Sequence, residues 1–395
     1  MKHNFSIGAL AAAAALCANG AWADTGSFEV HGYSRGGPVL STSDGVKGGF
    51  GLGGNGGTFR LGNEGDNGIE IDLIKNFKSD NINWKIHYMP AKWNSGNVGT
   101  EQAFVEAGGF SFAPEAKFWV GQRRLRLQDV HIVDYIYLNY GDNQGAGVTD
   151  LALGGGAKLG LGIFTGEKFD SSMKPGVEAT RFNADISDIA TNPDGKLRVL
   201  LTAVNGSGLA NSSSGSGISL VHNQSNFLIP GLSNALFLQA STGHARIDGE
   251  FESIDGTNAG KTVTRIADSL SWQMGPFGGQ TLLSYQTNKD DKTGMETKDT
   301  ILGGRISYAL SKNFKLLVEG ATTNRTGNGP DQRLDKFTIA PTLSVGPDFY
   351  SRPELRFYVT TSSWNDAAAL ANASSFGAGG KTSRTVAGIQ YEVWW

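Results

Sequence analysis

The sequence holds a single cysteine, Cys17, and it falls in the first apolar stretch rather than in the body of the chain. With no second thiol, neither an intrachain disulfide nor a multi-thiolate metal site can form. Long hydrophobic runs are also missing. After Ile7–Ala18, none approaches the roughly 20 residues that a membrane-spanning helix needs. No charge dominates: 34 Lys and Arg stand against 37 Asp and Glu, a formal net charge of −3, which offers no basic surface to nucleic acid. The glycine-rich run Gly51–Gly57 precedes no phosphate-binding lysine or helix, so it is predicted to be a loop.

What is present begins with an export address. Lys2 supplies a positive start, Ile7–Ala18 an apolar stretch too short to span a membrane, and Ala21-Trp22-Ala23 a small-x-small cleavage site before Asp24. A lipoprotein reading of Cys17 is the alternative, and Ala15-Leu16 fits it poorly. Residues 1–23 are therefore predicted to be a signal peptide. Residues 24–395 (395 less 23, or 372 residues) form a single domain with no composition break.

Along that domain the side chains alternate with period two. Phe28, Val30 and Gly32 interleave with Glu29, His31 and Tyr33; Ile69, Ile71 and Leu73 with Glu70 and Asp72; Leu355, Phe357 and Val359 with Glu354, Arg356, Tyr358 and Thr360. Residues two apart share a face of a strand, so each segment has one apolar and one polar face. Stretches rich in Gly, Asn, Asp and Ser separate them, such as Gly141–Gly147 and Asn205–Gly217, and one Ala-rich turn stands near Asp366–Ala373. A soluble β-sandwich would alternate too. Charge on nearly every polar face, and aromatics such as Trp84, Tyr88, Phe357 and Trp395 on the apolar one, favour a water-filled transmembrane barrel. At about 20 residues per strand and loop, 16 to 18 strands fit. The last strand makes the strongest local case: Ile389, Tyr391, Val393 and Trp395 form a lipid face up to the final residue, as expected of a strand that closes a sheet onto its first.

A set of motifs in fixed order then resembles the maltoporin-type sugar porins. They are His31-Gly32-Tyr33-Ser34-Arg35-Gly36, Phe59-Arg60-Leu61-Gly62-Asn63-Glu64, Trp119-Val120-Gly121-Gln122-Arg123, Asp129-Val130-His131-Ile132-Val133-Asp134-Tyr135, Asn192-Pro193-Asp194-Gly195, Tyr350-Ser351-Arg352-Pro353-Glu354-Leu355-Arg356 and Glu392-Val393-Trp394-Trp395. The resemblance implies an all-β antiparallel barrel of 18 strands with an inward-folded third loop, a homotrimer in outer-membrane lipid, and facilitated diffusion of sugars without a cofactor. In that family a run of lumen aromatics carries the apolar faces of the sugar, and flanking charges bond its hydroxyls.

Carried over residue by residue, the resemblance makes Tyr33, Trp394 and Trp93 the slide aromatics, with Trp93 expected in a loop lent to the neighbouring subunit. If the alternation were misphased by one, Tyr33 and Trp394 would instead be interfacial. The lumen polar track comprises Arg35, Arg60, Glu70, Asp129, His131 and Asp134, and the constriction Ile136 and Arg126. The pattern departs where Gly68, Ile218 and Leu310 stand in place of slide aromatics, Val105 and Leu127 in place of arginines, and Ile136 in place of a tyrosine. A shortened slide and altered sugar preference are expected. Arg123, Arg124 and Arg126 either replace the lost arginines or form a solvated strand end. The Asp129-x-His131-x-x-Asp134 spacing also suits a metal or acid/base site, but no second His lies near it. A general diffusion porin, a polysaccharide-acting enzyme with paired carboxylates and a structural barrel or adhesin are the alternatives.

Overall fold

A computed structural model describes residues 26–40, 46–54, 56–133, 135–139, 141–169, 178–207, 214–248, 258–377 and 380–395. The predicted signal peptide and Asp134 lie outside these residues. Eighteen antiparallel strands form one closed sheet, the upper of the two predicted strand numbers. The first strand, Phe28–Gly36, pairs with Gly68–Ser79 on one side and with the closing strand Ser383–Trp394 on the other. Backbone bonds between Gly32 and Trp395, and from Leu40 to Ala387, extend that seam at both ends. Closure leaves no unpaired edge, the condition for a sheet in lipid.

The alternation holds, with the faces inverted relative to a soluble protein. Leu355, Phe357 and Val359 are each nearly half exposed, whereas Glu354, Arg356 and Thr360 on the same strand are buried to within 1%. Water-facing side chains crowd into the lumen and the apolar ones face lipid. One rim has short turns, such as the pair Asp80 and Asn81, which adopt φ of 49° and 69° as a two-residue hairpin requires. The other rim carries the long connections 37–67 and 123–143. By the usual asymmetry of such barrels the short-turn rim is periplasmic. The Ala-rich turn forms the helices Asp366–Ala371 and Ala373–Phe376, the first capped by the Asn365 side chain accepting from the Ala368 amide.

Two apolar clusters lie inside the barrel, and both are made by loops folding inward. The third loop forms a hairpin, Arg126–Asp129 with Ile136–Asn139. Its Val130, Ile132, Val133, Tyr137 and Leu138 pack on an inward patch that includes Trp119, Phe164, Val221 and Phe237. The first loop also turns inward: Phe50, Leu52 and Leu61 pack on Leu317, Tyr358 and Trp364. The Gly51–Gly57 run is thus a loop, but an internal one.

The phase corrects three of the expected departures. Ile218 pairs with Leu201 and Ala240 on the lipid face, and Leu310 is mostly exposed outside. Val105 pairs with Ile86 and Val120 on the same outer face. None of them can have replaced a lumen aromatic or arginine. Strand phase decides which residues share the lumen, and a shift of one position exchanges the two faces.

Candidate functional site

The seam places three aromatic residues within four consecutive strands of one inner wall. Tyr33 and Trp394 are direct cross-strand partners, and Tyr33 on its other side faces Glu70. Partners in register point to the same face, so Trp394 faces the lumen, while Trp395 lies outside over Gly32. Trp394 is 36% exposed, which leaves ring surface available to a permeant.

Trp93 corrects the expectation of a loop position. It ends the strand Ile82–Trp93, opposite Gly68, and its indole lies over that glycine: a Cβ on Gly68 would sit 2.1 Å from the ring. Because position 68 has no side chain, the indole leans across it to reach Tyr33, with ring centroids 6.3 Å apart. The Trp93 Nε1 donates to Glu70 Oε1 at 3.3 Å, and the Arg35 guanidinium stacks on the indole at 5.0 Å. At the rim the Asn94 amide donates to the Asn67 carbonyl and the Asn67 amide to Asn94 Oδ1. The ring is therefore held on four sides within its own chain.

A buried ion network backs these rings. Tyr33 Oη donates to Glu392 Oε1 at 2.9 Å and accepts from Arg60 Nη2 at 2.9 Å. Glu392 also pairs with Arg60, Arg352 and Arg356. Arg35 and Arg60 share Glu64, and Arg35 continues to Asp66. Such a network adds little net stability, but removing one member leaves buried charge uncompensated, at a cost of about 3–5 kcal/mol. Arg352 reaches two further groups: its guanidinium stacks on Trp394 at 4.5 Å, and its Nη2 lies 3.0 Å from His131 Nε2.

His131 ties the third loop to this wall. Its carbonyl accepts from Arg60, and its ring meets Trp394 and Tyr350 edge-on. Burial, reinforced by the Arg60 and Arg352 cations, holds its imidazole well below the ordinary histidine range. A guanidinium has only donors, so Nε2 accepts from Arg352 Nη2. Burial raises the neighbouring Asp129 carboxyl, with Arg60 and Arg126 opposing. Burial, then Asp129, pushes the Tyr350 hydroxyl up to about 12.

Arg35, Arg60, Glu70 and His131 thus converge with Tyr33, Trp93 and Trp394. Asp129 lies further along the third loop, and Asp134 falls outside the described residues. Ile136 is half-buried on the second strand of the hairpin, and Arg126 is exposed on the first. The basic cluster divides. Arg123 and Arg124 turn inward to Glu106 and to Glu70 with Glu101, and only Arg126 remains exposed. Leu127 packs against the third-loop cluster. Among the described residues no three His, Cys, Asp or Glu groups converge as a metal site. Tyr350, Arg352 and Glu64 join the site beyond the residues expected from the sequence. Tyr350 and Arg352 stand in one of the ordered motifs and Glu64 in another, which was the available signal.

Comparison with known proteins gives a consistent answer. The family model described as LamB porin matches residues 28–395. A maltoporin of Vibrio cholerae serotype O1 is 28% identical, covering 99% of both chains. Among solved structures, OccK1 (OpdK) of Pseudomonas aeruginosa superposes with a TM-score of 0.51 at 10% identity, covering 93% of this chain and 98% of its own. OccK3 (OpdO) of the same organism gives 0.50 at 11% identity, covering 93% and 96%. At such identities these two speak for the barrel fold alone.

Proposed function

The chain belongs to the LamB porin family and is a porin of the bacterial outer membrane rather than an enzyme, and from that premise we propose that it passes sugars by facilitated diffusion along the Trp93–Tyr33–Trp394 wall. The continuity of that wall carries the proposal. Three aromatic rings within four consecutive strands present apolar surface, with Arg35, Arg60, Glu70 and Glu392 beside them. A pyranose has an apolar face and a rim of hydroxyls, so rings flanked by cations and carboxylates suit both. Each contact must stay weak for a permeant to leave. The path is short, and it suits mono- and short oligosaccharides better than long maltodextrins. In this reading three copies assemble in outer-membrane lipid after residues 1–23 are removed.

Swelling of proteoliposomes tests the proposal. Glucose and maltotriose should enter with rates that saturate in the millimolar range. In Tyr33→Ala/Trp394→Ala the saturation should disappear, because loss of two stacking rings removes about 1–3 kcal/mol of binding. Rates that depend on solute size alone, without saturation in the unmodified channel, would identify a general diffusion porin instead.

A further inference from the structure

One carboxylate of the barrel faces lipid instead of the lumen. Asp268 stands near the middle of the strand Lys261–Met274, between Ala267 and Ser269, which are buried on the inner face. Its cross-strand partners are Leu236 and Leu283, and Ile266 and Leu270 flank it along the strand. Leu283 and Ile266 are exposed on the outer, lipid-facing surface. The Asp268 side chain is half-buried among them. Its one hydrogen bond among the described residues comes from Asn234 Nδ2 at 2.8 Å, and no described cation pairs with it. A carboxylate inside a membrane carries a cost that grows with depth, and it normally has a partner.

A strip of amides joins this carboxylate to the periplasmic rim. Asn234 and Gln224 are cross-strand partners on the same outer face, since Asn223 beside Gln224 turns inward to Gln128. Gln224 Oε1 accepts from Asn192 Nδ2 at 2.7 Å, and its Nε2 donates to the Pro193 carbonyl at 2.8 Å. The turn Asn192-Pro193-Asp194-Gly195, an ordered motif that takes no part in the aromatic wall, thus fixes the lower end of the strip. Its Asp194 holds the adjacent turn as well, accepting from the Ser225 amide and from Asn226 Nδ2. The polar path runs from the short turns up to Asp268 on a surface that is otherwise apolar.

We propose that Asp268 and Asn234 bind the ammonium headgroup of an aminophospholipid of the periplasmic leaflet, held against the barrel along the Asn192–Gln224–Asn234 strip. An ammonium carries three donors and no acceptor. It meets Asp268 Oδ1 and Asn234 Oδ1, neither of which accepts a hydrogen bond from a described residue. Snorkelling and local thinning of the bilayer bring headgroups to a charge at this depth. A choline headgroup has no N–H to donate, and a glycerol headgroup has no cation, so neither fits as well. The site lies outside the pore and does not depend on what the channel passes.

Native mass spectrometry of the full-length channel tests it, with the protein released from vesicles of phosphatidylethanolamine mixed with phosphatidylcholine or phosphatidylglycerol. The unmodified channel should retain the ethanolamine lipid about tenfold over either competitor, the scale of a hydrogen bond to a charged group. Asp268→Asn keeps the shape and removes the charge, and it should erase that preference, as should Asp268→Leu. Heat-modifiable gel migration checks that each barrel has closed, and sugar block should be unchanged in both. Equal retention of all the lipids by the unmodified channel overturns the site, as does a preference that survives Asp268→Asn. An oligomer that comes apart in either variant would place a second copy against this face, and that result also overturns the lipid site.

Discussion

At the scale of single residues, Gly68 shows how an apparent loss can be a rearrangement. In the sequence it stands where an aromatic was expected, and the slide looked broken there. In the fold its missing side chain is the space that Trp93 occupies. Gly68→Ala should therefore act as a Trp93 variant. It should push the indole from its seat and weaken sugar block by on the order of 1 kcal/mol, the worth of one stacked ring. Combined with Trp93→Ala it should add nothing further, since both changes remove the same contact. Additive losses in single-channel titrations would show that the two positions act separately. None of this could be read from residue 68 alone, because the partner that fills its space lies 25 positions away in the chain.

At the scale of elements, the first loop is as much a part of the pore as the third. Asn63 staples it. Its Nδ2 donates to the carbonyls of Phe50 and Phe59, and its Oδ1 accepts from the Phe50 amide. Wall groups hold the remaining backbone: Lys336 and Thr338 donate to the Leu61 carbonyl, and the Leu61 amide donates to Glu319. Asn63→Ala would leave three buried backbone groups without partners, each costing about 1–3 kcal/mol. That is enough to release the loop while the eighteen strands stay paired. The expected result is a larger and noisier single-channel conductance with an unchanged far-ultraviolet circular dichroism spectrum. A quiet conductance of unaltered size would mean that the wall contacts alone suffice. The strands themselves were legible in the sequence, because a period of two is a local property. The inward course of the first loop was not, since a glycine-rich segment between strands looks the same whether it faces solvent or folds into the lumen.

At the scale of the whole molecule, the terminal pair Trp394-Trp395 joins closure to function. Trp395 exchanges two backbone hydrogen bonds with Gly32 and lays its indole over that glycine on the lipid side. Trp395→Ala keeps the backbone bonds and loses the outer packing. A buried aromatic truncation costs about 3–5 kcal/mol, and the half-exposed Trp395 should cost less. The barrel should still form, but its heat-modifiable transition on gels should fall by several degrees while sugar block is unchanged. A fall in sugar block would mean that the seam and Trp394 are mechanically coupled. The sequence by itself determined the barrel, the two faces of its strands and the inward aim of Tyr33 and Trp394, because alternation and the lack of any long apolar run are written in neighbouring residues. Only the tertiary structure decided that Trp93 fills the place of Gly68, that Ile218, Leu310 and Val105 face lipid, that one carboxylate, Glu392, collects three arginines, and that the third loop packs on Trp119, Phe164 and Phe237 of the inner wall. Each of these depends on strands brought side by side from distant parts of the chain, and on a register that a shift of one residue would invert.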